Sequence, residues 1–183
     1  MENIFTKNEQ KVLGIFSQYP LRVFSAREIA RLIKKSHPTV SKALEKLNRL
    51  GLVSRQFQEN LSGFGVNVLW KANRVGAKYR LFKKIANLQQ LYACNLIEKI
   101  ASETSPNAIV LFGSYSRGED TEESDIDLFV VSKEKQLDLH KYERQLYRKI
   151  NLTFESDPSR LKKEFANNLA NGIVLYGFFE VIK

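Results

Sequence analysis

The side chains best suited to chemistry in this chain lie between Ala108 and Val131. Asp125 and Asp127 stand one residue apart in Ser124-Asp125-Ile126-Asp127, which opens an apolar run to Val131. An earlier apolar run, Ala108–Phe112, ends in Gly113-Ser114, with Arg117 and Gly118 just beyond. Both runs have strand composition. Strand side chains alternate faces, so Asp125 and Asp127 project to one side while Ile126 and Leu128 project to the other. Two carboxylates that close repel each other unless a cation sits between them. Hard divalent ions such as Mg2+ bind through one or two carboxylates plus substrate phosphates. The glycine-serine turn offers the phosphate side: Gly113 lets backbone approach closely, and NH groups with the Ser114 hydroxyl can hold phosphate oxygens. A metal site and a phosphate site one loop apart fit metal-assisted phosphoryl or nucleotidyl transfer. A lone Asp-x-Asp is commonly just a solvated strand end; the combination with the turn carries the reading.

The whole pattern runs strand, Gly-Ser-x-x-x-Gly, polar spacer, Ser-Asp-x-Asp-Leu, strand. It resembles the nucleotidyltransferase superfamily of DNA polymerase beta, most closely its small minimal branch, over residues 88–183. The resemblance implies an NTP bound with Mg2+ or Mn2+. Asp125 and Asp127 would be the catalytic metal ligands; Gly113, Ser114, Arg117 and Ser124 would contact the nucleotide. The implied reaction moves a nucleoside monophosphate to an acceptor hydroxyl, with protein tyrosines or small molecules as acceptors in the minimal branch. That family places a third carboxylate, also suited to take the acceptor's proton, on the strand after the next helix. Here the matching position is Asn151, which is neutral and accepts no proton at pH 7. Losing a general base costs roughly 10²–10⁴-fold in rate. Glu155 shares the strand face but lies about 13 Å further along. Asp120, Glu122 and Glu123 read as solvated loop acids.

The elements that must position these residues follow from periodicity. Leu91, Leu96, Ile97 and Ile100 recur at helical spacing up to Ser105-Pro106. Leu137–Lys149 reads as a helix, Ile150–Glu155 as a strand, Pro158 or Ser159 onward as a helix through Leu169, and Ile173–Phe179 as a last strand. The resemblance implies the order β-α-β-α-β-α-β around one small sheet.

Upstream, two capping boxes, Thr6-x-x-Glu9 and Ser25-x-x-Glu28, open helices. A third helix starts near Ser36-His37-Pro38-Thr39, with Val40, Ala43, Leu44, Leu47 and Leu50 as its inner stripe and Gly51 as its C-terminal cap. Leu52–Arg55 and Val66–Lys71 read as two strands joined by a polar loop, Gln56–Gly65. Three helices and a two-stranded ribbon are similar to a winged helix-turn-helix domain. That resemblance implies a third helix entering the major groove of duplex DNA. His37, Thr39, Ser41, Lys42 and Lys46 would face the DNA, and Arg55 would reach an adjacent backbone. Winged helices also serve protein contacts. A basic amphipathic stretch, Asn73–Gln90, leads out of this region and packs on it or on a second copy of the chain.

Charge is divided along the chain. Residues 1–90 hold 17 Lys/Arg against 5 Asp/Glu, and residues 91–183 hold 12 against 15. A basic half joined to an acidic half suggests two domains with different partners, the basic one a nucleic-acid candidate. The single Cys94 excludes an internal disulfide and a cysteine-rich zinc site. No apolar window reaches the roughly 18 residues of a membrane span, and the N-terminus lacks the basic and apolar regions of a secretory signal. The expectation is a cytoplasmic α+β protein. An N-terminal winged helix-turn-helix domain with a trailing helix (1–87) would precede a small mixed-sheet nucleotidyltransferase-like α/β domain (88–183). Two functions fit: a DNA-binding regulator that transfers nucleotidyl groups, or a non-catalytic regulator whose second domain senses nucleotide or dimerises. A homodimer suits paired DNA half-sites.

Overall fold

The computed structural model describes residues 5–59 and 66–180. Two compact units emerge, Met1–Leu81 and Phe82–Lys183. The sequence boundary near residue 88 and the parting of the units after Leu81 both fall within one helix, α4 (Ala77–Ala93).

In the first unit, α1 (Lys7–Gln18), α2 (Ala26–Leu32) and α3 (His37–Arg49) precede a hairpin of β2 (Val53–Glu59) and β3 (Val66–Ala72). Thr6 caps α1 in a complete capping box with Glu9, and Ser25 caps α2 through its side chain. A two-residue strand, β1 (Phe24–Ser25), pairs antiparallel with β3 and extends the ribbon to three strands. No sequence signal distinguishes so short a strand from a helix entry. The second strand runs to Glu59, past the expected loop start at Gln56, because Gln56, Phe57 and Gln58 pair with Leu69, Val68 and Asn67. The rest of that loop, 60–65, lies outside the described residues. Val12, Leu13, Phe16, Phe24, Ile29, Val40, Leu44, Leu47 and Trp70 form the interior. Burying each large apolar side chain is worth about 1.5–3 kcal/mol. Phe16 and Phe24 meet edge to face at 5.7 Å. The buried Tyr79 hydroxyl donates to the Phe16 carbonyl at 2.8 Å, so its polar end is satisfied.

In the second unit, α5 (Leu96–Thr104) leads into β4 (Ala108–Phe112), α6 (Gly113–Arg117), β5 (Ile126–Val130), α7 (His140–Leu146), β6 (Ile150–Phe154), α8 (Lys163–Ala170) and β7 (Ile173–Gly177). The sheet order is β6-β5-β4-β7. The β5–β6 pair is parallel, with α7 in the crossover; β4 is antiparallel to both β5 and β7. Alternation along the strands divides the core in two. Ile109, Leu111, Ile126, Leu128 and Val130 pack with Leu91, Leu96, Ile97 and Ile100. Val110, Phe129 and Val131 pack with Leu169 and the partly buried Phe165.

Three expected elements differ in extent. The helix of Leu137–Lys149 shortens to His140–Leu146 because Tyr147 takes a left-handed conformation (φ 53°) that ends it. The segment after Pro158 is one 3-10 turn, Pro158–Arg160, followed by α8 from Lys163. The loop after Gly113 begins with the short helix α6.

Candidate functional site

The polar end of the β4–β5–β6 sheet gathers the residues singled out above. Register pairs Phe112 with Asp127 across β4 and β5, and Asp127 with Asn151 across β5 and β6. Asp127 lies on β5 and Asp125 immediately before it, both partly exposed. The Asn151 side-chain nitrogen donates to Asp125 Oδ2 and to Asp127 Oδ1, each at 3.1 Å. One NH2 group has two hydrogens, and here each goes to a different carboxylate. The two aspartates therefore converge on a single point.

Gly113 faces this point. Its backbone is left-handed (φ +73°), and a Cβ there would lie 2.5 Å from Asp127 Oδ2. Only glycine permits that turn and that approach. Ser114 follows on α6, partly buried, and the Ser116 hydroxyl donates to the Gly113 carbonyl at 2.8 Å. The glycine-serine turn and both aspartates are thus brought together.

Arg117 and Ser124 are differently engaged. Arg117 is exposed, and its Nε pairs with Glu119 at 2.8 Å. The Ser124 hydroxyl accepts from the Thr121 amide at 2.9 Å and closes its own loop. Glu155 lies beyond β6, where its carboxylate accepts from the Asp157 amide at 2.9 Å.

Sequence reasoning missed a buried network beside the turn. Asp120, expected to be solvated, is buried. Its carboxylate accepts from Lys83 Nζ at 2.5 Å and from Asn87 Nδ2 at 2.7 Å. The same Asn87 nitrogen donates to the Tyr115 carbonyl in α6 at 3.0 Å. Burial pushes the Lys83 ammonium below the ordinary lysine range, against the pull of Asp120. The only available signal was a lysine and an asparagine four residues apart on one helix face.

A hard divalent ion suits the convergent donors. Two carboxylate oxygens within reach of one nitrogen present the oxygen chemistry such ions take. Among the described residues no group of three or more His, Cys, Asp or Glu gathers into a metal cluster. Asp125 and Asp127 are the residues that could hold such an ion.

On the first unit, His37 and Lys42 are exposed on α3, and Ser41 is partly exposed. The Thr39 hydroxyl shares a 2.8 Å hydrogen bond with the Ser36 hydroxyl. Lys46 Nζ pairs with Glu9 at 2.8 Å. Burial raises the Glu9 pKa, but Lys46 and the Thr6 amide outweigh it and hold the carboxyl below the ordinary range. Arg55 pairs with Glu45 and lies over the Trp70 ring, 5.3 Å from its centroid. Among the described residues no helix is long and apolar enough to cross a membrane.

Part of the chain is similar to known proteins. Residues 95–177 match the family model for polymerase beta, nucleotidyltransferase. No curated protein matches the chain. A solved structure described as a possible transcriptional regulator from Methanosarcina mazei Go1 is similar at 23% identity, with a TM-score of 0.38. The match covers 54% of this chain and 78% of that one.

Proposed function

We propose that Phe82–Lys183 binds a nucleoside triphosphate together with a divalent ion, and that Met1–Leu81 is a winged helix that binds duplex DNA. The observation that carries the nucleotide reading is the convergence of Asp125 and Asp127 on one point faced by Gly113. The family match over residues 95–177 supports the same chemistry.

In this reading Asp125 and Asp127 hold Mg2+ or Mn2+, which would neutralise charge on the phosphate oxygens. Gly113 presents backbone close to the triphosphate, and the Ser114 hydroxyl donates to it. Arg117 keeps its Nη groups, and Ser124 its hydroxyl hydrogen, for the nucleotide while Glu119 and the Thr121 amide hold them in place. The reaction fitting this layout is transfer of a nucleoside monophosphate to an acceptor hydroxyl, on a protein or a small molecule. The acceptor oxygen bonds to the α-phosphorus, the bond to the β-phosphate oxygen breaks, and pyrophosphate leaves.

Asn151 favours a second reading. It occupies the strand position beside Asp127 and offers no base. The acceptor's proton must then pass to water, and slow or absent turnover makes the unit a nucleotide sensor. In both readings DNA binding runs through His37, Thr39, Ser41 and Lys42 of α3, supported by the basic balance of residues 1–90. Lys46 and Arg55 would join by exchanging Glu9 and Glu45 for phosphates.

The test is incubation with labelled NTPs, Mg2+ or Mn2+ and candidate acceptors, beside Asp125→Ala/Asp127→Ala. Label transfer that depends on both aspartates supports the enzyme. Nucleotide binding without transfer supports the sensor. Transfer surviving the double substitution excludes the site.

A further inference from the structure

We propose that Asp120 is a positioning residue of the nucleotide site, setting the glycine-serine turn and the aspartate strand relative to each other through a buried link to Asn87 and Lys83. This rests on the nucleotide reading above.

Asp120 lies between the two halves of the motif, two residues after Gly118 and five before Asp125. Its side chain is 0% exposed and that of Lys83 3%. A buried ion pair is weak evidence for stability, since desolvation offsets much of its attraction. Its value here lies in what it joins. Asn87 grips both the Asp120 carboxylate and the Tyr115 carbonyl, so the turn helix α6 and the spacer loop share one anchor. Lys83 secures that anchor, donating to Asn87 Oδ1 at 2.9 Å and to Asp120 Oδ2 at 2.5 Å. The Lys83 ammonium also lies 5.6 Å from the Tyr115 ring centroid.

The segment leading into β6 shares the anchor. Arg148, three residues before Asn151, brings Nη2 within 3.9 Å of Asp120 Oδ2, and its side chain is 9% exposed. One buried carboxylate thus references the turn bearing Gly113 and Ser114, the loop leading to Asp125, and the approach to Asn151. Asp120 touches neither nucleotide nor ion in this scheme; it acts through the elements it ties. A displacement of about 1 Å at such a site can cost on the order of 10²-fold.

Two variants test it on the full-length protein. Asn87→Ala cuts the link to Tyr115 and leaves the Lys83–Asp120 pair in place. Lys83→Met/Asp120→Asn removes both charges of the pair together and also takes from Arg148 its Asp120 contact. Three readouts are compared: thermal melting, Mn2+ binding without nucleotide, and binding of a fluorescent NTP analogue with Mn2+. For either folded variant, Mn2+ affinity is expected to stay within about twofold while NTP affinity falls by about tenfold or more. NTP affinity within about twofold of the parent overturns the proposal and leaves the network a purely structural one. In the unaltered protein, amide exchange at Gly118–Thr121 should slow when NTP binds; unchanged exchange there also overturns it. A parent that binds no NTP refutes the nucleotide reading itself, a separate result seen before any variant is made.

Discussion

Replacing Asn151 by aspartate should convert a neutral bridge into a third carboxylate. The Asn151 nitrogen lies 3.1 Å from one oxygen of each aspartate. A carboxylate oxygen at that distance repels each neighbour by about 1 kcal/mol at the dielectric of water and about 5 at an effective dielectric of 20. Asn151 is exposed, so the lower figure applies, and two neighbours give roughly 2 kcal/mol. Without metal, Asn151→Asp should therefore melt on the order of 10 °C below the parent. Millimolar Mn2+ should restore most of that loss, because the three acids then share a cation. Any nucleotidyl transfer should rise by roughly 10²–10⁴-fold, the usual return on a general base. The assay pairs melting scans with and without Mn2+ with label transfer from an NTP. A variant that melts like the parent in both conditions would refute the placement of Asn151 against the two aspartates.

Gly113→Ala should weaken NTP binding by about tenfold or more, because the methyl meets Asp127 and the backbone is left-handed; calorimetric titration checks it, and unchanged affinity contradicts the close approach. Burial of Tyr115 raises its phenol pKa above the ordinary value of 10.0. The folded protein then holds that proton more tightly than the unfolded chain. Its contribution is full below about pH 10 and is lost above, at up to about 1.4 kcal/mol per pH unit. Urea unfolding at rising pH should show a shallower loss in Tyr115→Phe, with Lys83 contributing alike to both proteins. For the first unit, duplex-DNA affinity should fall steeply with salt, and Lys42→Ala should reduce the slope of log K against log salt by about 1. A flat response would remove phosphate contacts from the account.

Local chemistry made much of this structure legible. The Ser/Thr-x-x-Glu spacing at Thr6 and Ser25 placed α1 and α2, since an N-cap needs only two side chains three residues apart; the box is complete at Thr6, and at Ser25 the serine alone caps. Strand alternation at Asp125–Val131 separated the aspartates from Ile126 and Leu128, which the core claims. What stayed hidden depends on contacts between distant segments. Nothing near Asp120 in sequence announces Lys83, 37 residues away, so a loop acid looked solvated. The left-handed Tyr147 and the two-residue β1 are likewise decided by tertiary context rather than by propensity. Lys46 was readable as outward on α3 but not as the partner of Glu9.

In the proposed reading Asp125, Asp127 and the Gly113-Ser114 turn together hold a metal-bound triphosphate. Crystals grown with Mn2+ and a non-hydrolysable NTP analogue test it most directly. The expected result is an anomalous-scattering peak ligated by both aspartates, with the triphosphate against Gly113 and Ser114. A peak or a triphosphate lodged elsewhere on the protein would contradict it.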